Sequence, residues 1–122
     1  MNLLIKKIVD PGNLVNERII LEVQNDDNIG FYGIFKTIET GEETVSNKIR
    51  ATYWFLDKDI KKGDLVVLYS KIGINTERKE TDGSTIHFFY WGLDIAQWQK
   101  RETEKDAVVL FRIDEWIHKK ID

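Results

Sequence analysis

Residues Leu65-Val66-Val67-Leu68-Tyr69 are apolar at every position. They follow a polar turn, Asp57-Lys58-Asp59-Ile60-Lys61-Lys62-Gly63-Asp64, which itself follows the aromatic run Tyr53-Trp54-Phe55. A strand that is apolar on both faces must be covered on both, so this one belongs inside a β core, with its turn and its aromatic neighbour beside it.

The rest of the chain keeps the same theme. Ile19, Leu21 and Val23 alternate with Ile20, Glu22 and Gln24, a period of 2 that closes in the turn-forming cluster Gln24-Asn25-Asp26-Asp27-Asn28. Residues 30–38 place Phe31, Gly33, Phe35 and Thr37 on one face and Tyr32, Ile34, Lys36 and Ile38 on the other. Residues 45–55 turn β-branched and aromatic from Ile49 onward. With residues 3–9, 65–71, 85–91 and 107–113, seven strands are expected, separated by Gly-, Asp- and Lys-rich connections. Pro11 stands next to Gly12 in a turn after the first of them, where its missing N–H costs nothing. No apolar 3.6 period is sustained; a helical turn or two is expected in residues 93–100 and 114–119.

Parallel neighbours need connections of about a dozen or more residues, usually helical, so the pattern predicts an all-β, antiparallel sandwich or small barrel. Leu21, Val23, Phe55, Val67, Val109 and Phe111 are the expected core. No repeat, low-complexity tract or linker divides the 122 residues, which predicts one domain over residues 1–122 that buries roughly two thirds of its surface.

Composition limits function. Cysteine is absent, which removes disulfides, thiolate metal sites and thiol nucleophiles and fits a reducing, cytoplasmic setting. Lysines interrupt the apolar run Leu3-Leu4-Ile5-Lys6-Lys7-Ile8-Val9, where a secretory signal needs roughly 7 or more apolar residues together. No stretch approaches the roughly 20 apolar residues of a membrane helix, so no membrane partner is expected. Eighteen Lys and Arg are interleaved with 21 Asp and Glu, for a net charge of −3, which disfavours a polyanionic partner such as nucleic acid.

The candidate binding residues lie around Ile86-His87-Phe88-Phe89-Tyr90-Trp91. Alternation sends His87, Phe89 and Trp91 to one face and Phe88 and Tyr90 to the other, so one exposed face offers a stacking platform for bases or sugars unless these aromatics are core; His87, Phe89 and Trp91 are the candidate binding residues. Lys71, Arg78, Lys79, Lys100 and Arg101 in the flanking connections are positioned to grip phosphates, although Glu77, Glu80, Glu102 and Glu104 interleave with them as on a solvated surface. Ser84 and His87 stand three apart on a strand and point to opposite faces, so they make no nucleophile–base pair. Two histidines outside any zinc spacing give no metal site, and Asp57-Lys58-Asp59-Ile60-Lys61 puts a cation where a calcium loop needs a ligand. Gly30-Phe31-Tyr32-Gly33 matches neither a phosphate loop nor a dinucleotide fingerprint, so no cofactor is expected.

Several short segments occur together in order: Arg18-Ile19-Ile20-Leu21-Glu22-Val23-Gln24-Asn25, Trp54-Phe55, Ile60-Lys61-Lys62-Gly63-Asp64-Leu65-Val66-Val67-Leu68-Tyr69, Trp91-Gly92 and Asp106-Ala107-Val108-Val109-Leu110-Phe111. In this order they resemble the lamin-tail domain family. The resemblance implies an immunoglobulin-like β-sandwich and an adhesive or scaffolding role, with no shared catalytic residues to carry over. Phe55-Leu56 stands where the family commonly has Phe-Pro, and Lys105-Asp106 where a Gly-Asp pair is common. No coiled-coil rod is expected ahead of the domain, so filament assembly does not carry over. The sequence thus points to a non-enzymatic module that recognises another protein through loops or sheet edges, its oligomeric state open. Its alternatives are an OB-like binder of single-stranded nucleic acid and a small hydrolase without a recognised motif.

Overall fold

The computed structural model describes residues 1–99 and 101–122. Its strands are β1 (Leu3–Val9), β2 (Arg18–Val23), β3 (Asp27–Asn28), β4 (Tyr32–Gly41), β5 (Thr44–Val45), β6 (Ala51–Trp54), β7 (Asp59–Ile60), β8 (Leu65–Tyr69), β9 (Thr76–Lys79), β10 (Thr85–Tyr90) and β11 (Asp106–Arg112). A 3-10 turn at Ile29–Phe31 precedes β4. The chain is all-β, in several sheets that are mostly antiparallel.

β2 shows how the sequence makes a strand. Ile19, Leu21 and Val23 are buried on one side while Arg18, Ile20 and Glu22 stay half-buried on the other, the burial expected of a period of 2. β8 lies between β2 and β10 in a five-stranded sheet ordered β1-β2-β8-β10-β9, and Val66, Val67 and Leu68 are all buried. A second sheet pairs β4 with β11 on one side and with β5 and β6 on the other. Leu3, Ile19, Leu21, Val23, Val66, Leu68 and Phe89 of the first sheet share one core with Tyr32 and Ile34 of the second, joined by Ile29, Phe55, Ile60 and Trp98. No helix among the described residues is long and apolar enough to cross a membrane.

Several expectations are corrected. There are eleven strands among the described residues instead of seven. The extended run at 45–55 is broken by residues 46–50, and β9, whose Thr76, Glu77, Arg78 and Lys79 are all exposed, carries no burial pattern to betray it. β8 and β10 pair in parallel. The connection between them, residues 70–84, holds edge strand β9 instead of a helix. The chain runs out to the sheet edge and returns as β10, antiparallel to β9 and inserted beside β8.

Neither residues 93–99 nor residues 114–119 form a helix; Lys100 lies outside the described residues. In β11 the core side is Val108 and Leu110, while Val109 and Phe111 point the other way. Phe111 lies over Gly33, where a β-carbon would overlap its ring, and stacks on Phe35 at 5.6 Å. A strand apolar on both faces offers no alternation to choose its inward side, and here the glycine of the neighbouring strand decides it. Leu21, Val23 and Phe55 join the core as expected. Val67 is buried on the opposite face of its sheet, in a row with Ile20 and Phe88.

Candidate functional site

The outward face of the five-stranded sheet collects the aromatic and basic side chains that the core does not use. Pairing fixes its rows. Arg18 of β2 lies opposite Tyr69 of β8, which lies opposite Tyr90 of β10. The next row is Lys7, Ile20, Val67, Phe88 and Thr76, and the third is Glu22, Leu65, Ile86 and Arg78. Directly opposed residues share a face, which sets Arg18 beside Tyr69; Arg78 reaches Phe88 diagonally from the adjoining row, and Lys71 follows Tyr69 by two residues.

Tyr69 and Tyr90 stack nearly parallel, 5.2 Å apart at 9°. The Arg18 guanidinium sits 5.6 Å from the Tyr69 centroid and Lys71 Nζ 4.9 Å from it, while Arg78 lies 5.6 Å from the centre of Phe88. Each such contact contributes about 0.5–1 kcal/mol at an exposed position and holds the cation in a fixed place. Gly73 rests on the Tyr90 ring so closely that a β-carbon there would overlap it. The π faces are therefore largely taken, by glycine backbone, by the neighbouring ring or by a cation. What the surface offers a ligand is positive charge over ring edges and aliphatic side chains.

The residues expected to act are thus divided. Lys71 and Arg78 belong to this face, Arg78 also pairing with Glu80 at 3.1 Å. His87, Phe89 and Trp91 do share one face of β10 as expected, but it is the inner one. His87 and Phe89 are buried, and Trp91 packs against the core beside Tyr53 and Trp98, so no platform forms from them. Lys79 is exposed on β9, and Arg101 lies apart, paired with Glu104 at 3.5 Å and Asp106 at 3.3 Å. Lys100 lies outside the described residues. Phe88 and Tyr90 are the opposite face expected from alternation, though not among the candidate binding residues; Tyr69 and Arg18, which join them, lie outside the expected site, and the signal for them is the outward half of the alternation in strands whose inward half is core.

Two buried carboxylates could be taken for chemistry. His87 Nε2 meets Asp64 Oδ2 at 2.9 Å, both side chains nearly inaccessible. Asp64 also accepts from the backbone N–H groups of Lys61 at 3.0 Å and Thr85 at 2.9 Å. Burial pushes its pKa up, but the hydrogen bonds from His87, Lys61 and Thr85 outweigh that and hold the carboxyl below its ordinary value. Glu17, fully buried, accepts from the Ser70 hydroxyl and from the N–H groups of Gly12, Gln97 and Trp98. In both places the acid ties loops to a strand. Ser84 donates its hydroxyl to Asp82 and Ser70 donates to Glu17, so neither serine meets His87. Among the described residues no group of three His, Asp or Glu is placed to hold a metal ion. No family model matches the chain, and no curated protein matches it closely enough to show kinship.

Proposed function

We propose that this chain is a non-enzymatic binding module that recognises an acidic, extended segment of another protein on the outward face of β2, β8 and β10. One observation carries the reading: Arg18, Lys71 and Arg78 are each held over an aromatic ring on the same sheet surface. With Lys7 these four cations outnumber Glu22 and the Glu80 that pairs with Arg78, against the protein's overall charge of −3, so the face is complementary to an acidic ligand where the molecule as a whole is not. Apolar neighbours Ile20, Leu65 and Ile86 supply the contact area that charge alone lacks.

Single-stranded nucleic acid is the second reading, favoured by the same rings and cations. Base stacking needs open π faces, and those of Tyr69 and Tyr90 are occupied. An immunoglobulin-like sandwich is the fold part of the proposal, supported by two sheets that share one core. Kinship with lamin-tail domains rests on the short motifs, and the parallel β8–β10 pair lies outside the antiparallel pattern they implied. A cytoplasmic location is supported by the absence of cysteine.

The test is selection from a random peptide display library, followed by titration of the selected peptides. Acidic sequences should be enriched, and their affinity should drop at least tenfold in Lys71→Glu with Arg78→Glu. Peptides without acidic bias, or binding indifferent to both changes, would overturn the reading. Micromolar binding of labelled oligonucleotides that weakens steeply with salt would install the nucleic-acid reading instead.

A further inference from the structure

We infer that β11 is the two-fold interface of a homodimer, pairing antiparallel with β11 of a second copy in a register centred on Val109. This goes beyond the binding face, which lies on the other sheet. β11 ends its sheet: it pairs with β4 from Asp106 opposite Ile38 to Arg112 opposite Tyr32, and no strand among the described residues pairs with its far edge. Glu39 N–H donates to Lys105 C=O at 2.9 Å and Ile113 N–H to Phe31 C=O at 2.7 Å. Those two bonds fix the alternation, so odd-numbered residues 105–113 bond to β4. Asp106, Val108, Leu110 and Arg112 direct their N–H and C=O groups away from it, into the open edge.

Five strands among the described residues have an unpaired outer edge in the two large sheets, β1, β5, β6, β9 and β11, and all but β11 are blunted: β5 has only two residues and β6 four. β9 is short and wholly exposed, and Glu77, Arg78 and Lys79 make up most of it. β1 is broken by a register shift between Ile5 and Lys7 and carries Lys6 and Lys7. Charge, shortness and irregularity are the usual protections of a sheet edge. β11 has none along its middle: Ala107-Val108-Val109-Leu110-Phe111 is apolar throughout, has no proline, and pairs with β4 without a shift.

The occupant is a second copy because the strand is complementary to itself. A two-fold axis through Val109 sets Asp106 opposite Arg112 of the other chain, Val108 opposite Leu110, and Ala107 opposite Phe111. Opposite charges meet at both ends, and the smallest side chain faces the largest. Asp106, its side chain 3% exposed, already meets Lys36, Arg101 and the Gln99 N–H, and Arg112 meets Asp27 and Asp114, so the register sets opposite charges across from each other and leaves neither without a partner in its own chain. In this register the residues whose backbone points outward are the ones that fall opposite each other, giving about eight inter-chain hydrogen bonds. A slip of one residue would set outward-pointing groups against inward-pointing ones. A slip of two would set Asp106 against Leu110.

The chain has no cysteine, so Val109→Cys introduces a single thiol per chain, on the proposed axis. Residues facing each other in a non-hydrogen-bonded antiparallel pair have Cα atoms about 4.5 Å apart, within disulfide range. Under mild oxidation Val109→Cys should cross-link at least tenfold faster than Val45→Cys, an exposed control on β5. Sedimentation equilibrium should give twice the chain mass of 14.4 kDa for the wild type. Val109→Lys and Val109→Glu should each be monomeric, and mixing them should restore a dimer. A monomeric wild type up to about millimolar concentration, a dimer unaffected by both charge variants, or equal cross-linking at the two cysteine positions would overturn the proposal.

Discussion

Asp64 and Glu17 show how a single carboxylate can replace packing where a β protein turns its corners. Each is buried, and each receives hydrogen bonds from segments far apart in the chain: Lys61, Thr85 and His87 for Asp64, and Gly12, Ser70, Gln97 and Trp98 for Glu17. Removing such an acceptor leaves several buried donors unsatisfied, which costs more than the bonds themselves contribute. Asp64 also gives the molecule a pH dependence. Its carboxyl is held below the ordinary value despite the opposing effect of burial, so the folded state prefers the ionised form. That stabilisation is fully present above the unfolded-state pKa of about 3.9 and is lost as pH falls through the lower folded value. Asp64→Asn should therefore lower stability at pH 7 and flatten the acid limb below about pH 5, read from urea midpoints. A variant with the wild-type acid slope would assign that limb to other groups, among them Asp27, whose pKa is also held low by Tyr32, Asn28 and Asn2 against the effect of its burial.

At the scale of elements, β11 tests whether register was read correctly. Val108 and Leu110 pack against the core, whereas Val109 and Phe111 cover the opposite face. Leu110→Ala should cost about 2 kcal/mol, the low end for a leucine truncated in a core, because the side chain is only partly buried. Val109→Ala should cost less than about 1 kcal/mol. Urea unfolding of the two variants, done below any association threshold, decides the register; the reverse order would return Val109 to the core. β9 makes the complementary point. Thr76-Glu77-Arg78-Lys79 is a strand because β10 offers it a hydrogen-bonding edge, not because its side chains bury anything. Composition alone therefore could not announce it.

Across the whole molecule, side chains from both large sheets meet in a single core, with Trp98 contributed by the long connection ahead of β11. A shared core predicts one cooperative transition. Tryptophan fluorescence and far-ultraviolet circular dichroism should give coincident urea curves; two separated transitions would mean that the sheets unfold independently. The all-β class and the strands β2, β8 and β10 were legible in the chain, because alternation or a doubly apolar run is a local consequence of which faces are covered. The same alternation correctly grouped His87, Phe89 and Trp91, but it could not say whether their face looked inward or outward, since both faces of β10 are aromatic. That choice, the parallel seating of β10 beside β8, the inward side of β11 and the meeting of Arg18 and Arg78 with Tyr69 and Phe88 were decided only in the tertiary structure. Each depends on which distant strand arrives as a neighbour, and a local pattern of residue types does not encode that arrival.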